Sequence, residues 1–241
     1  MLIPMDSPLR KPPASFSRQQ VLFLDGIRYS AEMICIAYER LWAQLDAITV
    51  PPPDNSTIAT DDIARAMLDA WSIVDSANRF RDLLREFPGL PNSPWERIFL
   101  ANTVEVDALR NVVQHPESEI GKSLVEVGQL WGFLSWAQVR GGKYTGKWLM
   151  MSAGATFVGD KFLFMGPNKL PFTVPTGRVS LSASGKRVYL GRILQQVVNA
   201  VTSLVQDIGN GVIRTRGEPA VGRRGGDDVV AGMIEILASN H

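Results

Sequence analysis

From Leu24 onward the apolar residues of this 241-residue chain recur at Ile27, Ala31, Ile34, Tyr38, Leu41, Leu45 and Ile48, in steps of three and four. At 3.6 residues per turn that spacing gathers them into one stripe, so the segment buries itself only as a long amphipathic helix. The helix is expected over about residues 17–47. Pro51-Pro52-Pro53 stops it, because proline has no amide donor and biases the residue before it away from helical torsions.

Two more helices follow. One starts at Thr60, read as an N-cap, with Asp61 and Asp62 at the positive end of its first turn. Its stripe is Ile63, Met67, Ala70, Val74, Ala77, Phe80, Leu84 and Phe87, and Pro88-Gly89 closes it. The next opens on Ser93-Pro94-Trp95-Glu96, a capping box with proline at the first helical position. It is read as one continuous helix to Pro116, with Ile98, Ala101, Glu105, Ala108 and Val112 on one line and Phe99, Val106, Leu109 and Val113 beside it. Three long antiparallel helices with short joins make most of a helical bundle.

After about Gln129 the pattern changes. Short runs rich in aromatic and β-branched residues alternate with Gly, Pro and Lys, at 131–139, 147–152, 156–158, 162–165, 172–174, 179–183 and 188–190. Ser184-Gly185 reads as a tight hairpin turn. A further helix runs from Gly191 to about Ile208, with Ile193, Val197, Val201, Leu204 and Ile208 on its apolar line. The expected class is therefore α+β: an antiparallel helical bundle, then a small basic antiparallel β-sheet module, then a further long helix. The expected parts are an N-terminal arm (1–16), the bundle (17–128), the β-rich module (129–190), a long helix packed on the bundle (191–209) and a flexible tail with a short terminal helix near 229–237 (210–241).

The formal net charge of +1 hides an uneven distribution. Residues 1–129 carry 12 Lys and Arg against 18 Asp and Glu, whereas residues 130–206 carry 9 against the single acid Asp160. A basic β-rich module is attached to an acidic helical one. The single cysteine, Cys35, excludes an intrachain disulfide framework, and with one internal histidine it leaves a His/Cys zinc site without ligands. No cofactor is called for. The first residues lack a charged-then-apolar leader pattern, and no apolar run reaches the roughly 18 residues of a membrane span, so a cytoplasmic protein is expected.

The segment richest in chemistry is Arg110-Asn111-Val112-Val113-Gln114-His115. His241 is the last residue, so chemistry that needs an imidazole uses His115 or takes one from another subunit. Metal-free RNA cleavage needs a group to take the 2′-hydroxyl proton, a cation for charge building at phosphorus, and a proton donor for the leaving oxygen. Histidine titrates in the right range for proton transfer, arginine grips phosphate with two donors, and a carboxamide beside them holds either in register. Residues five apart on an ideal helix point about 140° away from each other, so Arg110 and His115 converge only if the helix ends between them or a second copy completes the site. The bland alternative is that Arg110 with Glu105 or Asp107 is surface charge and that His115-Pro116-Glu117 is a helix stop.

Arg-Asn-x-x-x-His near a helix end, within an antiparallel bundle, resembles the HEPN superfamily, whose motif is Arg, a polar residue that is often Asn, a few spacers and His. Residue by residue, Arg110, Asn111 and His115 match it. The resemblance covers roughly residues 17–116, with the helix from Gly191 as a candidate fourth member. It implies a metal-independent RNase centre at a two-fold dimer interface, often in toxin or defence systems. The expected partners are then a second copy, RNA, and an antitoxin-like protein. The β-rich insert departs from a plain four-helix member.

In the basic module, Lys143, Lys147, Lys161, Lys169, Arg178, Lys186, Arg187 and Arg192 are interleaved with Trp131, Trp136, Tyr144, Trp148, Phe157, Phe162, Phe164 and Phe172. Cations neutralise phosphate and exposed aromatic faces stack bases, which makes Lys143, Lys147, Lys161, Arg178, Lys186 and Arg187 candidate nucleic-acid contacts. The competing explanation is that the aromatics form the core of a small sheet and the charge docks on the acidic helices. Asp69, Asp75 and Asp82 can be read as a carboxylate site, but a solvated face is the preferred reading, with Asp75–Arg79 and Asp82–Arg85 as ordinary helical pairs. The leading expectation is an RNA-binding or RNA-cleaving protein in which Arg110 stabilises phosphate, His115 acts as acid or base and Asn111 orients them. The competing class is a non-catalytic dimeric scaffold whose β module binds a protein.

Overall fold

The computed structural model describes residues 3–47, 60–114, 131–138, 147–152 and 179–213. Helices α1 (Arg18–Ala47), α2 (Thr60–Arg85), α3 (Pro94–Asn102) and α4 (Val104–Gln114) come first. Strands β1 (Phe133–Gln138), β2 (Lys147–Ser152), β3 (Val179–Ala183) and β4 (Lys186–Tyr189) follow, and α5 (Leu190–Gly209) comes last. The class is α+β, helices followed by a small antiparallel sheet and a further helix. The runs at 156–158, 162–165 and 172–174, and the terminal helix near 229–237, lie outside the described residues.

The apolar stripes decide which helices pair, and polar residues decide where they start. Ile27, Ile34, Leu41 and Leu45 of α1 and Ile73, Phe80 and Leu84 of α2 are fully buried. Each such side chain contributes on the order of 1.5–3 kcal/mol. A cap contributes about 1 kcal/mol, too little to choose a partner but enough to set a boundary. At the head of α1, the Gln20 amide donates to Ser17 Oγ (3.2 Å) and the Ser17 amide donates to Gln20 Oε1 (3.0 Å), a reciprocal capping box. The Gln20 carboxamide also donates to Pro88 O (2.8 Å), tying the start of α1 to the turn after α2. At α3 the Glu96 amide donates to Ser93 Oγ (3.4 Å), with Pro94 in the first turn. Burial raises the Glu96 pKa above the ordinary glutamate value, outweighing the Ser93 amide and Arg97, which both favour its charge.

From Ile3 onward the N-terminal arm packs on the helices. Ile3, Leu9 and Phe16 are buried in the core, Arg10 Nε donates to Ile3 O (2.9 Å), and the Arg10 guanidinium pairs with Glu32 of α1.

The expected continuous third helix is two helices, broken at Thr103, whose torsions leave the helical range (φ −120°, ψ 15°). The Thr103 hydroxyl donates to Phe99 O (2.7 Å), and Arg81 of α2 inserts beside it. One Arg81 nitrogen donates to Leu100 O (2.7 Å) and to Thr103 Oγ1, both at the carbonyl end of α3. The other edge grips Asp107 in the first turn of α4 with two bonds (3.0 and 3.3 Å). The break shifts the phase of the apolar pattern. Phe99, Val106, Leu109 and Val112 are buried, whereas Ile98 and Val104 are exposed.

The sheet has the order β2-β1-β3-β4 and is antiparallel throughout. Leu134 and Trp136 of β1, Val179, Leu181 and Ala183 of β3, and Val188 of β4 are buried, and α4 and α5 pack against β3 and β4. Opposite positions carry Ser135 and Ser180, whose hydroxyls meet at 2.7 Å. The hairpin turn at Ser184-Gly185 is present, with positive φ at both residues (44° and 70°). The last strand is Lys186–Tyr189, not 188–190, because this two-residue turn pairs Ala183 with Lys186 and Leu190 already begins α5. The apolar line of α5, Ile193, Val197, Val201, Leu204 and Ile208, is buried, and the helix packs on α1, α2 and α3 as well as on the sheet.

Gly132, just before β1, has φ +78°, and a Cβ there would sit 2.1 Å from the Ser182 carbonyl oxygen. Gly132→Ala is therefore expected to destabilise the chain by about 3 kcal/mol or more, since strain and backbone collision add. Gly185→Ala, with φ +70° but no atom within 4 Å of the added Cβ, should cost only about 1 kcal/mol. Urea unfolding of the two variants checks the difference.

Candidate functional site

Arg110 lies in the last turns of α4 and faces α2. Its Nε donates to Asp75 Oδ1 (3.2 Å), and the other oxygen of the same carboxylate pairs with Arg79 one turn further along α2 (2.8 Å). Two guanidiniums share one carboxylate, so this trio keeps one positive charge in excess. The three side chains are 28–62% exposed, which leaves the excess charge in contact with solvent. Asn111, the next residue, is exposed.

His115 lies outside the described residues. Gln114 is the last described residue of α4. Lys143, Lys161 and Arg178 are also outside the described residues, and Lys147 is described only as the first residue of β2. Lys186 and Arg187 are exposed on β4, and Arg187 Nε donates to Ser182 Oγ (2.9 Å) across the hairpin. Because α4 packs on β4, the helix that carries Arg110 adjoins the strand that carries these two cations. Arg192, in the first turn of α5, is exposed too.

The acidic face of α2 is only partly solvated. Asp75 and Asp82 make their helical pairs with Arg79 (2.8 Å) and Arg85 (3.4 Å). Asp69 does not belong with them. Its side chain is 5% exposed and is held by the Arg40 fork from α1, at 2.5 and 3.3 Å. Its stripe neighbour Ala70 is also fully buried, so position 69 sits on the α1–α2 seam. Asp107 is likewise engaged by Arg81 rather than standing as free surface charge. Of the aromatics in the basic module, Trp136 is core and Trp131 is exposed, its carbonyl accepting from Trp71 Nε1 (3.3 Å). Among the described residues there is no group of three or more His, Cys, Asp and Glu placed to hold a metal ion, and no helix long and apolar enough to cross a membrane.

The Arg110–Asp75 contact itself joins residues 35 apart on different helices, and the chain spacing contains no signal for it. No family model matches the chain, and searches among curated proteins and solved structures find no match either.

Stability should separate the two arginine–aspartate contacts of α2. Arg40→Ala strips a buried carboxylate of its cation and is expected to cost about 3 kcal/mol. Asp75→Ala dissolves a half-exposed pair and should cost less than about 1 kcal/mol. Chemical denaturation at neutral pH measures both.

Proposed function

We propose that the chain is an RNA-binding protein of HEPN-like type that holds phosphate at the α2–α4 seam through Arg110 and Arg79, with Asn111 beside them. The observation that carries this reading is the shared carboxylate. Asp75 orients both guanidiniums without neutralising them, so a phosphate oxygen meets two positioned donors and one uncompensated charge. Lys186 and Arg187 are exposed on β4, a strand that packs against the helix carrying Arg110, and add two cations to that part of the molecule. The Arg110-Asn111-x-x-x-His115 spacing supports the same assignment and adds metal-independent cleavage. Arg110 then stabilises charge at phosphorus, and His115 transfers the proton.

Binding of a short unstructured RNA, followed by fluorescence anisotropy across a salt series, tests this. Affinity should fall steeply with salt, and Arg110→Ala should weaken it and make the log–log salt slope shallower by about one unit. His115→Ala should leave that binding in place and abolish strand cleavage. Salt-insensitive binding, or an Arg110→Ala protein that binds like the parent, would contradict the proposal.

A further inference from the structure

An exposed tryptophan is tied to α2 one turn from the arginines of the α2–α4 seam. Leu68, Trp71, Asp75 and Arg79 follow one another along α2 in steps of three and four, so they lie on one face of the helix. Trp71 stands one turn, about 6 Å along the axis, before the carboxylate that Arg79 and Arg110 share. Its ring is half-buried against the core, and its Nε1 donates to the Trp131 carbonyl (3.3 Å). The next residue, Gly132, approaches β3 so closely that a Cβ would sit 2.1 Å from Ser182 O. The backbone that carries Trp131 is thus held by both α2 and β3, yet its side chain is 45% exposed. An indole on a backbone already fixed loses little conformational freedom when something covers it.

We propose that Trp131 is a stacking platform for an unpaired base of RNA whose phosphate lies on Arg110 and Arg79, with Trp71 as its positioning residue. The inference rests on the phosphate reading above and adds a base subsite to it. Charge selects the occupant. An apolar partner would cover Trp131 and the exposed Leu68 but leave the positive excess one turn away unanswered. A nucleotide answers both within one residue, with a π-face that stacks on indole and a phosphate that guanidiniums grip. The span from a base to its phosphate is of the same order as the helical turn between Trp71 and Asp75. Stacking tolerates any base, so the platform separates unpaired bases from paired ones, whose faces are already stacked on each other.

Fluorescence anisotropy with two labelled strands of equal length and charge tests this. One is an unstructured 2′-O-methyl RNA, which cannot be cleaved through its 2′-hydroxyl, and the other is a sugar-phosphate strand without bases. The full chain should bind the base-bearing strand about tenfold more tightly. Trp131→Ala should remove that gain and leave the abasic strand bound as before, whereas Trp131→Phe should keep most of it. The carbonyl that Trp71 holds belongs to the backbone and survives both changes. Arg110→Ala should weaken both strands alike. Failure of the phosphate reading therefore shows on the abasic strand, and failure of this inference in the difference between the strands. Equal binding of the two strands by the parent chain, or a Trp131→Ala protein that keeps the gain or loses both strands together, would overturn the proposal.

Discussion

A buried guanidinium joins α2 to α3 and α4. Arg81 is 3% exposed, yet it meets three acceptors from outside its own helix: the Leu100 carbonyl, the Thr103 hydroxyl and the Asp107 carboxylate. Taking an arginine out of water is costly, and the geometry recovers that cost by offering partners that also need a cation. The carbonyl end of α3 carries partial negative charge, and Asp107 supplies a full one. Without Arg81, the Leu100 carbonyl at the break would lose its side-chain donor and Asp107 its cation. The break is thus a built joint, and Arg81 fixes the angle at which α4 leaves it.

That angle matters because α4 is the element between the bundle and the sheet. It packs on α2 through the same face that lets Arg110 reach Asp75, and on β3 and β4 along its other side. The phosphate site proposed at the α2–α4 seam therefore depends on Arg81 seven residues before the turn that closes α2, far from Arg110 in the sequence. Similar logic governs other charges. Glu32 is shared by Arg10 and Arg28, and Asp69 is taken by Arg40, so these two carboxylates tie the N-terminal arm to α1 and α1 to α2. Asp75 is the carboxylate whose two partners outnumber it at a solvent-facing seam.

What the sequence conveys here follows the length scale of each interaction. The stripes of α1, α2 and α5 are periodic and local, and their bounds were readable to within a residue or two. The Ser184-Gly185 turn and the Ser93 cap are short-range signals of the same kind. The capping box at Ser17-Arg18-Gln19-Gln20 is equally local and was there to be read. The break at Thr103 was not, because Thr is tolerated in a helix and the reason for the break is an arginine 22 residues earlier. Asp69 was misplaced on a solvated face for the same reason, since its partner Arg40 lies 29 residues away. Of the candidate site, the residue types were evident in the segment from Arg110, but the carboxylate that positions Arg110 belongs to another helix.

The most direct test of the joint is the unfolding free energy of Arg81 variants, read with amide exchange in α4. Arg81→Met should cost about 3 kcal/mol and loosen exchange across α4 first, because Leu100 O and Thr103 lose their donor and Asp107 loses its cation. Arg81→Lys should recover little, since one ammonium cannot serve both edges of the joint. An Arg81→Met protein as stable as the parent, with α4 equally protected, would contradict the account.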